Sequence, residues 1–184
     1  MTVLATAGHV DHGKSTLVNF LTNQETDRLE EEKSRGLTIN LGYTYFEYKK
    51  RAISIVDVPG HQDYFKNTIA GFSNVNGVLF CIDSIQGWSK QSEEHFRSIV
   101  SLGIRDIFVI FTKTDLLVSD LEKEPVVKKF SEVKDLNFKI TEFSSKTSNK
   151  EFLHKEINDF FKDNESHKEG TIWVDRTFSI EGIG

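Results

Sequence analysis

Eight residues near the amino terminus constrain this chain more than any other feature. Gly8-His9-Val10-Asp11-His12-Gly13-Lys14-Ser15 fits the pattern G-x-x-x-x-G-K-[S/T], directly after the apolar run Val3-Leu4-Ala5-Thr6-Ala7 and directly before Thr16-Leu17-Val18-Asn19-Phe20-Leu21. The first run reads as a buried strand and the second as a helix. A strand, a glycine-bounded loop and a helix in that order make a cradle for phosphate groups. Gly8 and Gly13 let the backbone curl so that successive N–H groups point inward at a β-phosphate. Lys14 reaches the β/γ oxygens, and the Ser15 hydroxyl is offered to a magnesium ion. The expected ligand is a nucleoside triphosphate, with residues 8 to 16 around its phosphates.

Base identity is carried by Thr112-Lys113-Thr114-Asp115, at the end of the run Ile107-Phe108-Val109-Ile110-Phe111. The Asp115 carboxylate can accept from both N1–H and the 2-amino group of guanine, donors that adenine does not supply together, while the Lys113 stem lies across the base plane. Ser144-Ser145-Lys146 follows a short strand and is expected where a backbone N–H meets the guanine oxygen. Between these segments, Asp57-Val58-Pro59-Gly60-His61 ends the apolar run Ile53-Ser54-Ile55-Val56. A carboxylate there is suited to hold a magnesium-bound water, the Gly60 N–H is free of a side chain toward the γ-phosphate, and His61 is expected to orient an attacking water. Upstream, Arg35-Gly36-Leu37-Thr38-Ile39 closes a charged segment. Thr38 is expected as the second hydroxyl on magnesium, completing a set with Ser15 and Asp57 and making this loop a switch.

These five segments, in this order, resemble the translational GTPases. Asp11-His12 inside the loop and His61 after Asp-x-Pro-Gly separate that class from Ras-like proteins, which generally carry Gln at the latter position. The resemblance implies that His61 positions the hydrolytic water once a ribosome is engaged, that Val10 and Leu37 gate it, and that a monovalent cation sits near Asp11. Within the class, the run from Thr26 through Leu41-Gly42-Tyr43 is similar to the selenocysteine-specific elongation factors, and 22 residues separate Ser15 from Thr38, a short first switch. Delivery of selenocysteyl-tRNA to the ribosome is the function that this likeness implies. Two departures stand out: Asn40 where that subfamily usually has Asp, and Thr112 for the commoner Asn, which removes an amide that braces the base against the phosphate loop. Two other readings stay open, a guanine-nucleotide binding module without meaningful turnover and a sister-branch translational GTPase delivering another tRNA.

Strand and helix patterns alternate along the chain: strands near 2–8, 42–48, 52–56, 77–83, 107–112 and 138–143, and helices near 14–23, 62–72, 92–102, 120–134 and 149–162. Such alternation predicts an α/β fold, a mostly parallel six-stranded sheet with helices on both faces and one antiparallel strand from a hairpin turning at Lys49-Lys50-Arg51. Residues 1–163 are expected to form the GTP-binding domain, 164–170 a polar linker, and 171–184 the first strand of a truncated β-barrel. With 184 residues, 38% of them hydrophobic, the chain can bury one sizeable core. It shows no export leader and no membrane span, so a cytoplasmic location is expected. A net charge of −5 argues against general nucleic-acid affinity, leaving contacts with tRNA and ribosome to local patches or to further domains.

Several features receive plainer expectations. Cys81, the single cysteine, is read as a buried, inert thiol. Glu30-Glu31-Glu32-Lys33 is expected to be solvated, Tyr43-Tyr45-Phe46-Tyr48 to be packed by strand alternation, and Asp83 to be structural. His95 and His154 are expected to need no function.

Overall fold

A computed structural model of the chain describes residues 2–26, 32, 34, 36–118 and 121–162. The expected linker and barrel strand at 164–184, and positions 27–31, 33 and 35 of the charged segment, lie outside the described residues.

A strand flanked by parallel neighbours and covered on both faces has no position for a solvated side chain, and β4 (Gly77–Asp83) is buried at every residue. It pairs in parallel with β1 (Thr2–Ala7) and with β5 (Asp106–Thr112). β3 (Arg51–Asp57) lies parallel to β1, and β6 (Asn137–Glu142) parallel to β5. β2 (Gly42–Tyr48) runs antiparallel to β3 and closes the order β2-β3-β1-β4-β5-β6. One face packs on α1 (Lys14–Thr22) and α5 (Lys150–Lys162) through Leu17, Val18, Leu21, Leu153, Ile157 and Phe161. The other packs on α2 (Phe65–Phe72), α3 (Lys90–Ser101) and α4 (Glu124–Ser131) through Phe72, Phe96, Ile99, Val126 and Phe130. The phosphate loop, Asp57 and Thr112 thus sit at the carboxyl ends of parallel strands, where such sheets hold ligands.

Element boundaries differ from the expectation for local reasons. The hairpin turns on two residues, Lys49 and Lys50, with φ of 48° and 67°, the left-handed pair that matches strand twist. Arg51 belongs to β3 instead and donates to Thr2, Asn158 and Phe161. The segment 62–72 is not one helix: a 3₁₀ turn over Gln62–Tyr64 precedes α2. α3 starts two residues before the expected 92 because Ser89 Oγ accepts the Ser92 N–H and caps it. α4 spans 124–131 rather than 120–134, with Pro125 in its first turn.

The aromatic cluster divides. Alternation places Phe46 in the core, stacked on His154 at 4.2 Å, but Tyr43 and Tyr45 are 63% and 54% exposed, on the opposite face of the edge strand β2, which no helix among the described residues covers. Among the described residues no helix is long and apolar enough to cross a membrane.

Candidate nucleotide site

The loop after β1 is tight because its glycines cannot be anything else. Gly8 has φ +127°, and a Cβ there would lie 2.2 Å from the Cys81 carbonyl oxygen of β4. Asp11 and Gly13 are also left-handed, at 60° and 76°, which curls the chain over Lys14. That side chain is buried, and its Nζ donates to the His9 carbonyl at 2.8 Å. From the next strand end, Gly60 presses on the same point: a Cβ would lie 2.3 Å from Lys14 Nζ and 2.7 Å from the Val10 nitrogen. Opposite, Ser15 Oγ and Thr38 Oγ1 are 3.0 Å apart. Val10, Asp11, Gly13, Lys14, Ser15, Thr16, Gly36, Leu37, Thr38, Gly60 and Lys113 line a cavity of about 370 Å³. Ser15, Thr16 and Gly36 also line its neighbour, of about 580 Å³, which Phe20 and Ser145 flank toward the base end.

Asp57 is fully buried, and each carboxylate oxygen has a threonine. Oδ1 accepts from Thr6 Oγ1 at 2.8 Å and Oδ2 from Thr26 Oγ1 at 2.7 Å. Sequence reading passed over both threonines; Thr6, inward on β1 and one strand away from Asp57, is the one that strand pairing marks out. His61 does not line the phosphate cavity. Its side chain is 34% exposed, and its Nδ1 lies 3.2 Å from the Asp63 backbone nitrogen and 3.4 Å from the Asp63 carboxylate.

The underside of the loop corrects the expectation for His95. Its Nδ1 accepts the Gly8 N–H at 3.1 Å, with Phe65 and Phe72 packed around the ring. Burial, then the charge of Lys14, lowers its pKa to about 3. One helical turn earlier on α3, Gln91 Oε1 bonds His9 Nδ1 and accepts the Val10 N–H at 3.4 Å. The i, i+4 spacing of Gln91 and His95 on one helix face was the available signal. His12 is buried beside them with neither ring nitrogen bonded among the described residues, and burial, then the charge of His9, lowers its pKa to about 4.

At the base end Thr112 keeps the brace that loss of an amide was expected to remove. Its buried Oγ1 donates to the His12 carbonyl at 3.0 Å and ties β5 to the phosphate loop. Lys113 adopts φ +58° and pairs with Asp83 at 2.7 Å. Asp83 also accepts the Ile85 and Gln86 N–H groups. Burial pushes its carboxyl up, but the hydrogen bonds from Lys113, Ile85 and Gln86 outweigh that and hold it below the ordinary value, a structural role. Asp115 is likewise held low by hydrogen bonds from Ser144 and Lys146, whose Nζ is 3.1 Å away. Of the expected backbone donors, Ser144 N–H already reaches Ser148 and Lys146 N–H reaches Ser144 Oγ.

Cys81 is buried and free, its thiol pushed up to about 12 by burial. Glu32 is buried, 3% exposed, rather than solvated, because its carboxylate bonds the backbone of the loop that follows.

A phosphate loop, a strand-end Asp-x-x-Gly and a Thr-Lys-x-Asp turn on one edge of a mostly parallel sheet define a guanine-nucleotide-binding domain of the phosphate-loop class. The family model described as Elongation factor Tu GTP binding domain matches residues 1–159, and the chain belongs to that family. It is 31% identical to the selenocysteine-specific elongation factor of Haemophilus influenzae over 99% of its length and 30% of the relative's. It is 36% identical to elongation factor 1-alpha of Methanothermobacter thermautotrophicus over 98% of its length and 46% of the relative's. A crystal structure of a bacterial selenocysteine-specific elongation factor superposes with a TM-score of 0.84 and 34% identity, covering all of this chain and 33% of the other. The chain therefore spans about a third of the length of the selenocysteine-specific factors that it matches.

Proposed function

We propose that this chain is the GTP-hydrolysing domain of a selenocysteine-specific elongation factor, working with the ribosome and with selenocysteyl-tRNA that further domains would hold. The observation that carries the nucleotide reading is the meeting of Ser15 and Thr38 hydroxyls at 3.0 Å beside a glycine that abuts Lys14. Ser15, Thr38 and, through a water, Asp57 are the residues that would hold magnesium, hard oxygen donors suited to it; when bound, the ion would neutralise charge on the β- and γ-phosphates. The residues fit that role: the two hydroxyls already converge on one point, and at Gly60 a Cβ would strike Lys14 Nζ and the Val10 backbone, so glycine keeps the approach open. Asp11, left-handed and on the cavity wall, is the candidate for a monovalent cation. His61, with Nδ1 engaged locally by Asp63, leaves Nε2 to meet water and would place it by reorienting, the ribosome supplying the reorientation.

The selenocysteine assignment is supported by the names of two relatives and by the 22-residue first switch. The 36% identity to elongation factor 1-alpha favours the second reading, a sister-branch factor; a longer first switch would be its mark. The domain boundary near 163, a linker to 170 and a barrel strand from 171 belong to the same proposal, as does a cytoplasmic location.

Guanine choice is the first test. GTP and GDP should displace a fluorescent guanine nucleotide far better than ATP, and Asp115→Asn should shift preference toward xanthine nucleotides. One charge-assisted hydrogen bond contributes ~1.5–3 kcal/mol, about ten- to over a hundredfold in affinity. Equal competition by ATP and GTP would sink the reading.

A further inference from the structure

Glu32 stands in a run of charged residues that should face water, yet it is 3% exposed. Its Oε1 accepts two main-chain N–H groups, from Ile39 and from Asn40, each at 3.0 Å, and its own carbonyl accepts the Leu37 N–H at 3.2 Å. One residue therefore closes the segment 36–40 on itself, main chain on one side and side chain on the other. Thr38 sits inside that closure, buried, with its Oγ1 3.0 Å from Ser15 Oγ. Outside it, the Ile39 carbonyl accepts from Asn67 Nδ2 of α2 at 3.0 Å. A buried carboxylate is costly unless its lone pairs are filled, and charge-assisted bonds to backbone N–H are the strong kind. Opening the segment would strip two donors from a buried anion, so the closed form is favoured by the chain itself.

We propose that Glu32 is the positioning residue that latches the Thr38 loop onto Ser15 and so sets how strongly this domain prefers GTP over GDP. The inference rests on the reading of Thr38 as a ligand of the triphosphate state. Glu32 borders the cavity of about 580 Å³ beside Ser15 and Gly36, and in this role it acts through the backbone that carries Thr38. A ligand that needs Thr38 draws on the closed segment, and one that does not is indifferent to it. Asn67 links the same segment to the helix following Gly60 and His61, so both loops that would meet the γ-phosphate share this anchor.

The test compares GTP-analogue and GDP affinities for the unsubstituted chain, Glu32→Ala, Glu32→Gln and Thr38→Ala at fixed magnesium. Glu32→Ala should lower the GTP-to-GDP preference at least about tenfold while GDP affinity stays within about threefold. Glu32→Gln keeps an acceptor oxygen and should recover part of the loss. In the unsubstituted chain, the Ile39 and Asn40 amides should exchange with solvent more slowly with the GTP analogue than with GDP. That measurement stands even where Glu32→Ala does not fold. Loss of GTP and GDP affinity in equal measure in Glu32→Ala, or equal exchange of those amides in both states, overturns the latch. Thr38→Ala separates the two layers: if it abolishes the preference while Glu32→Ala leaves it intact, the latch alone fails, and if it changes nothing, the assignment of Thr38 fails with it.

Discussion

The two ends of the phosphate cavity are built differently. The loop around Lys14 is fixed from below by α3 through Gln91 and His95, from the side by Thr112, and from above by the backbone of Gly60. The His61 side chain, by contrast, meets only its own turn among the described residues, the Asp63 N–H and the Tyr64 ring, and remains a third exposed. Groups that would grip the phosphates are thus preorganised by several strands and helices, and the group that would place water is free to turn. Affinity and turnover should separate accordingly, and each expected outcome below bears on that separation.

Acid should attack the rigid end with the largest effect. His12 and His95 are held neutral, with values lowered to about 4 and about 3 from the ordinary 6.5. An unfolded chain takes up both protons near 6.5, whereas the folded one resists, so stability is full above that value and declines as the pH falls toward the folded values. Between pH 8 and 5 the two together should cost about 4 kcal/mol of unfolding free energy. Carboxylates held low, Asp115, Asp83 and Glu93 among them, contribute little in that window because they stay largely ionised in both states. Urea unfolding at the two pH values measures the loss; a stability flat across the window would remove the buried histidines from the account of why this end is rigid.

Substitutions at the two ends should then fail in opposite ways. Lys14→Ala removes the cation that would make charge-assisted contacts to phosphate and should weaken both GTP and GDP by more than about 10²-fold, some 3 kcal/mol. His61→Ala should leave nucleotide affinity within about threefold, under about 0.7 kcal/mol. In a chain extended to the length of its relatives, it should slow ribosome-stimulated hydrolysis by about 10²-fold, a barrier increase of about 2.7 kcal/mol. A His61→Ala protein that hydrolyses GTP at the unsubstituted rate would favour the binding-module reading, as would an unsubstituted chain that ribosomes do not stimulate.

The same contrast explains what the sequence made legible. Gly8, Gly13 and Gly60 were readable because the motifs that carry them call for glycine's freedom, and six strands in a mostly parallel sheet followed from the alternating periodicities. The alternation suggested that the cluster Tyr43-Tyr45-Phe46-Tyr48 packs, and Phe46 does. It did not say that β2 lies at the edge, which is why Tyr43 and Tyr45 face solvent. Residues that hold the site from behind were hardly legible: His95, Gln91, Thr6 and Thr26 act across distances of 31 to 87 positions, and the faint signals available, an i, i+4 pair on one helix face and an inward strand threonine, do not say which distant group is met. Glu32 was misread for the related reason that a charged run is normally solvated, and only its two backbone partners reveal the exception.

The smallest expected effect joins the two ends. Thr112 occupies a position where the family more often has Asn, and its hydroxyl, not an amide, reaches the His12 carbonyl from β5. Thr112→Ala leaves that buried carbonyl without its side-chain donor and should cost about 1 kcal/mol of stability. Because the bond ties the base-side strand to the phosphate loop, guanine-nucleotide affinity should drop by up to about fivefold with no change in the ratio of GTP to GDP. Thr112→Ser keeps the donor and should retain most of both. Denaturant midpoints and nucleotide titrations on the two variants read this directly. If Ser loses as much as Ala, the buried Thr112 methyl carries the link instead of the hydrogen bond, and the base end would be coupled to the loop by packing.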